Sequence, residues 1–188
     1  MVRFCDGDAK AFDVLFARHA GAVRGYLHRV TGSGASADDL TQAAFLSVVK
    51  ARGRYVRGSA FKPWLFAIAT NAARDLHRRR RGEELSAEPT STETVEPKVR
   101  DAGLEKLVRE ALVQLPDAQR EAIVMHRFEG MSFAEIAVAL GVNEGAVKVR
   151  AHRGYERLRE LLRGVWTAEE AQRPEPHSGP REAGGNEP

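Results

Sequence analysis

The sequence predicts an all-α chain, folded as two small helical domains joined by a flexible acidic linker, the C-terminal domain containing a helix-turn-helix. Three observations carry this. No useful stretch alternates apolar and polar residues with the period of a strand, whereas several segments repeat apolar positions at helical spacing. Between Gly82 and about Gly103 that periodicity stops: five glutamates, Pro89, Pro97 and several Ser/Thr leave too little apolar surface to offset the entropy of ordering. The chain has 188 residues, 43% hydrophobic and 29% charged, enough for one or two modest cores. The reading divides it into 1–82, a linker at 83–103, a second domain at 104–166 and a disordered tail at 167–188.

In order, the first helix runs from Asp8 to about Arg29, with Phe12, Leu15, Phe16, His19, Val23, Tyr26, Leu27 and Val30 on its apolar face. The residues before it read as a frayed terminus holding the single cysteine, Cys5. After the Gly/Ser turn at Thr31–Ala35, Ser36 and Asp39 have capping-box spacing and open a helix through Leu40, Ala44, Phe45, Val48 and Val49. Asp38 and Asp39 then fall in its first turn, where carboxylates gain about 0.3–1 kcal/mol from the helix dipole. A capped helix start and a partner contact explain them equally well.

Ala51 to Ala60 is a glycine-broken loop carrying Arg52, Arg54, Tyr55 and Arg57. An aromatic among arginines suits stacked bases and neutralised phosphates, although a solvated loop has the same composition. Pro63 fits the first turn of the next helix. Trp64, Leu65, Ile68, Ala69, Ala72 and Leu76 line its inner side, while Lys62, Asn71, Arg74, Asp75 and Arg78 lie outside and lead into the run Arg78–Arg81. Beyond the linker, Leu104, Leu107, Val108, Ala111, Leu112 and Leu115 fit a helix closed by Pro116, and Asp117 to Phe128 forms another.

The stretch Ser132–Tyr155 carries the sharpest motif. Ser132 and Glu135 form a capping box, Phe133, Ile136, Ala137 and Leu140 share a face, and Gly141 ends the helix. Asn143 can cap the following helix, with Ala146 and Val147 inward and Lys148, Arg150, His152 and Arg153 on other faces. Two helices crossing this closely around a glycine make a helix-turn-helix, whose second helix enters a DNA major groove. The helix continues through Tyr155, Leu158, Leu161, Leu162 and Val165.

Charge is segregated along the chain. Residues 1–82 hold 15 Lys/Arg against 6 Asp/Glu, while 83–101 hold 2 against 6, within a net charge of +3. A basic first lobe suits a polyanionic partner. The six histidines lie on different elements without zinc-ligand spacing, and no phosphate loop or nucleophile elbow is present, so neither a metal, a cofactor nor an enzyme is expected. Lacking a membrane-length apolar run or a signal-peptide layout, the chain reads as cytoplasmic, with no membrane insertion.

Several motifs in sequence resemble the bacterial RNA polymerase sigma factors of the extracytoplasmic-function, or group IV, family. They are Gly7-Asp8 with Ala11-Phe12 and Leu15-Phe16, Ala37-Asp38-Asp39-Leu40-Thr41-Gln42 with Phe45, and Phe61 with Pro63-Trp64-Leu65, Ile68-Ala69 and Asn71. Leu115-Pro116 with Gln119-Arg120, Glu135-Ile136-Ala137, Leu140-Gly141 and Gly145 with Val147-Lys148 and Arg150 complete the set. The resemblance implies docking on core RNA polymerase through Asp38, Asp39, Leu40, Gln42 and Phe45. It implies recognition and melting of the −10 element by Arg54, Tyr55, Arg57, Lys62, Asn71, Arg74 and Arg78. It further implies −35 reading by Asn143, Glu144, Lys148, Val149, Arg150, His152 and Arg153, with promoter DNA and an anti-sigma factor as further partners. The chain departs from the family at Thr41, Ala43, Ala146, Val149 and Ala151, which alters the docking surface and removes hydroxyls from the reading helix. The alternative is a helix-turn-helix regulator that is not a polymerase subunit; it accounts for 104–166 but not for 1–82. A flexible linker also lets the lobes fold against one another.

Overall fold

The computed structural model describes residues 1–84 and 102–171, so most of the linker and of the tail lies outside the described residues. The eight α-helices there are α1 (Val2–Cys5), α2 (Ala9–Thr31), α3 (Gly34–Lys50), α4 (Phe61–Glu84), α5 (Ala102–Val113), α6 (Asp117–Arg127), α7 (Phe133–Leu140) and α8 (Glu144–Ala171). A 3-10 turn at Arg52–Arg54 joins α3 to α4, and no strand occurs among the described residues. Helices α4 and α8 run past the expected ends at 82 and 166, because neither Glu83–Glu84 nor Thr167–Ala171 contains a residue that stops a helix.

In the N-terminal lobe α2 packs on α3 and α3 on α4. Val23, Tyr26, Leu27 and Val30 of α2 meet Ala37, Ala44, Phe45 and Val48 of α3 and Leu65, Phe66 and Ala69 of α4. Tyr26 is fully buried, and its hydroxyl shares a 2.7 Å hydrogen bond with Thr70 that ties α2 to α4. Burial pushes the Tyr26 phenol pKa well above its ordinary value, leaving the hydroxyl protonated.

Two local expectations are corrected. The first residues are not frayed: they form α1, whose buried Phe4 lies 5.2 Å from Phe12, while Asp8 caps α2 by accepting from the Ala11 amide. The cap of α3 is Ser33, accepting from the Ser36 amide, rather than Ser36 itself. The helix therefore starts one turn earlier, and Asp38 and Asp39 lie beyond its dipole-favoured first turn. Ser36 instead accepts a 2.9 Å bond from Arg80 of α4.

In the C-terminal lobe α6, α7 and α8 enclose Ile123, Met125, Met131, Ile136, Leu140, Val147 and Ala151. Both bonds of the Ser132–Glu135 capping box form, at 3.2 Å and 2.9 Å, and the Ser132 amide and hydroxyl, both donating to the Glu135 carboxylate, hold it below its ordinary pKa. Gly141 turns the chain at φ 65°, a left-handed conformation that costs glycine nothing.

The lobes fold against one another. Helix α7 lies along α4, and α2 meets α5 and α6, so one continuous apolar cluster crosses the boundary. Gly32 and Val113 meet closely there: a Cβ on Gly32 would sit 3.1 Å from the valine.

Candidate nucleic-acid interface

The helix-turn-helix presents one open face. Asn143 caps α8 by accepting from the Ala146 amide at 2.7 Å. From there Val147, Ala151 and Gly154 point inward at helical spacing. Lys148, Val149, His152 and Arg153 are exposed, with Val149 50% accessible, and Arg150 stands half-buried at the flank. Glu144 pairs with Lys148 at 2.7 Å and Glu156 lies 3.4 Å from His152, so polar groups rim the apolar centre at Val149. Val147 lies inward as expected, whereas Ala146, also expected inward, is only partly buried, and Ala151 and Gly154 complete the inward row instead.

Close packing at α8 depends on a residue that sequence reasoning missed. A Cβ on Gly154 would meet Ile123 Cδ1 at 2.5 Å and Gln119 Cβ at 3.2 Å, so α6 and α8 touch there backbone to side chain. Its placement seven residues after Val147, on the same face, is the signal that could have found it.

The residues of the N-terminal lobe expected on the −10 element fall into two groups. Arg54 and Asn71 are exposed, and Arg57, also exposed, makes a 2.5 Å ion pair with Asp6. Lys62 and Arg74 lie on the side of α4 that meets the C-terminal lobe. Lys62 donates to the Glu129 carbonyl, and Arg74 grips the Glu121 carboxylate through two bonds of 2.8 Å and 2.6 Å. Arg78 pairs with Asp75 of its own helix and, with Arg74, His77, Arg81 and Asp117, lines a cleft of about 210 Å³.

Tyr55 does not offer a stacking face. It is buried, its hydroxyl donates to the Ser59 carbonyl, and its ring stands edge-on to Trp64 at 5.2 Å and Phe61 at 6.4 Å. Burying the aromatic on Phe61 and Trp64 gains more than exposing it among arginines. The exposed apolar residue of this loop is Val56.

The expected docking helix is also reapportioned. Phe45 is 3% exposed, packed edge-on to Phe16 at 4.8 Å, and Leu40 is half-buried, so neither lies on the open face. Asp38 is exposed but is held by Arg24, whose hydrogen bond keeps its carboxyl below the ordinary pKa. The outward stripe of α3 is Asp39, Gln42, Ala43, Leu46 and Val49, with exposed Phe16 beside it. Leu46 is 60% exposed. Val49 and Phe16, expected inside, face out; two turns of helix carry more apolar residues than the core has room for.

Among the described residues no group of three or more His, Cys, Asp or Glu could hold a metal, and no helix is long and apolar enough to cross a membrane.

Residues 15–83 match the family model Sigma-70 region 2, and residues 105–158 match Sigma-70, region 4. The chain is 49% identical over 165 residues to the RNA polymerase sigma factor CarQ of Myxococcus xanthus, covering 86% of this chain and 95% of that one. It is 38% identical over 160 residues to the ECF RNA polymerase sigma factor SigM of Mycobacterium tuberculosis, covering 83% and 79%. Among solved structures it resembles the sigma factor RpoE of Bartonella quintana, in complex with the anti-sigma factor NepR (TM-score 0.75, 27% identity, 82% and 98% coverage). It also resembles CnrH, in complex with the cytosolic domain of CnrY (TM-score 0.69, 29% identity, 87% and 94% coverage). Two helical lobes matching regions 2 and 4 in that order, with relatives of nearly the same length, place this chain in the extracytoplasmic-function family of RNA polymerase sigma factors.

Proposed function

We propose that the two lobes of this sigma factor divide one promoter between them while the chain rides on core RNA polymerase. The carrying observation is the open face of α8, where Lys148, Val149, His152 and Arg153 stand clear of the fold beyond an inward row of Val147, Ala151 and Gly154. This is the exposure a major-groove reading helix needs, with cations for phosphate and a branched methyl pair for a base edge. In this reading the C-terminal lobe reads the −35 element.

The N-terminal lobe takes the −10 element through Asn71, Arg54, Arg57 and the cationic side of α4, Lys62, Arg74 and Arg78. Of the four consecutive arginines Arg78–Arg81, Arg78 and Arg81 extend that side at helical spacing from Arg74. Phosphate contacts of this kind position a strand without reading it, and binding should weaken steeply with salt. Tyr55 supports the loop from beneath rather than stacking on a base.

Polymerase docks on the outward stripe of α3, Asp39, Gln42, Leu46 and Val49, an apolar patch rimmed by polar groups. The same stripe is the surface an anti-sigma partner would cover, consistent with the complexes in which the two structural relatives occur. Nucleotidyl transfer in this reading belongs to the polymerase, and the chain acts in the cytoplasm, where that enzyme meets DNA.

The test is run-off transcription with core RNA polymerase on fragments of the host genome. Start sites that depend on this chain, and that vanish on Leu46→Glu, support the reading. Sequence-specific duplex binding with no dependent initiation would instead make it a regulator acting alone.

A further inference from the structure

The contact between the lobes joins the apolar cluster described above to a set of charged contacts. Glu121 is 1% exposed and accepts both of its bonds from Arg74. Its neighbour Arg120, equally enclosed, reaches the other way and donates to the Val30 carbonyl at 2.9 Å, one of the carbonyls left unpaired at the end of α2. Lys62 is held by the Glu129 carbonyl, and the Arg29 guanidinium lies 4.4 Å over the Phe128 ring. Arg120 Nε is buried without a hydrogen-bond partner. In the Arg74–Glu121 pair only the carboxylate is enclosed, the arginine side chain being 41% exposed, and desolvation of that carboxylate offsets much of the Coulomb gain, so the pair fixes a geometry more than it stabilises.

Two of the cations so engaged, Lys62 and Arg74, belong to the side of α4 assigned above to the −10 strand. The surfaces assigned to polymerase and to the −35 element are not covered: the stripe on α3 and the outer face of α8 both stand open in this same arrangement. The closure is therefore selective.

We propose that Glu121 is a built-in competitor for promoter DNA, occupying on Arg74 the place of a backbone phosphate, so that lobe closure and −10 strand binding exclude one another. This rests on the assignment of α4 to the −10 strand. A carboxylate and a phosphate present the same pair of acceptor oxygens to a guanidinium fork. Arg74 lines the cleft together with His77, Arg78, Arg81 and Asp117, so a polyanion drawn to these cations reaches the guanidinium that Glu121 holds and displaces the carboxylate from it. Closure lowers apparent strand affinity by the fraction of chains that are open, and a bound strand holds the lobes apart by the same factor.

The experiment compares the full-length chain with Glu121→Gln and, in a second variant, Phe128→Ala. The latter loosens the clasp at a half-exposed ring without touching any residue assigned to DNA. Each is titrated against a short fluorescein-labelled single-stranded DNA of mixed sequence, and its radius of gyration is measured by small-angle scattering. Both variants should become more extended and bind the single strand about threefold to tenfold more tightly, the gain expected if most wild-type chains are closed. Their binding to a duplex carrying the upstream element should not change.

Variants that extend without gaining single-strand affinity would show that the clasp masks nothing, and variants that neither extend nor gain would show that Glu121 does not close the lobes. If Glu121→Gln fails to fold, Phe128→Ala carries the comparison alone. Failure of the wild-type chain to support initiation would instead remove the sigma assignment of α4, a separate result from either.

Discussion

At Gly154 a single missing Cβ decides whether two helices can meet. Gly154→Ala should destabilise the chain by about 1–3 kcal/mol, since Ile123 and Gln119 are packed where the methyl would go. Thermal unfolding measures this, and an unchanged midpoint would show that α6 and α8 have room. His28 gives a second residue-scale test. Burial, then Arg109, Arg24 and Arg29, hold its imidazole below the ordinary pKa of 6.5, with Asp38 opposing. A base lowered on folding contributes stability that is complete above about pH 6.5 and is lost as pH falls through the lower folded value. His19 is lowered likewise, by burial and by Arg18, Lys62 and the N-terminus. The melting midpoint should therefore fall on acidification through this range, and His28→Gln should flatten part of the slope. An identical slope in the variant would mean that His28 is solvated. The spacing from Val147 hints at Gly154, but the His28 effect could not be read from sequence, because it depends on what a neighbouring helix brings across.

Among the elements, those with a local chemical signature were legible: the Ser132–Glu135 box, Gly141, the Asn143 cap and Pro116 all act where the spacing puts them. Faces were harder to read. Helix α3 has apolar residues on nearly every side, so periodicity could not say that Phe45 is covered while Leu46 and Val49 are not. Leu46→Glu should leave stability within about 0.5 kcal/mol of wild type, as expected of an exposed site, while weakening polymerase binding about tenfold or more. Co-elution with core polymerase tests this, and retained binding would move the docking surface elsewhere. On α8 the ordering follows exposure. Arg153→Ala should cost about 1–3 kcal/mol of duplex affinity if it meets a base. Half-buried Arg150→Ala should cost less, and the reverse order in a binding titration would rotate the reading face.

Across the whole molecule, the sequence revealed two lobes and the charge imbalance between them, but not how they meet. Arg120 and Glu121 look like an ordinary solvated pair at the start of α6; in the structure both are buried. The available hint was Ala122–Met125, an apolar run that encircles its helix and therefore demands cover from outside its own lobe. Sequence periodicity reports one face at a time, and an interface between lobes with an intervening linker leaves no period.

In the proposed function one chain holds two separate parts of a start site. Chemical footprinting of core polymerase with this chain, on a promoter it activates, measures that directly. It should show a protected duplex patch upstream and a second patch of unpaired, reactive bases at the −10 element, the second lost on Arg74→Ala and the first retained. A single protected duplex patch with no unpaired bases would contradict it.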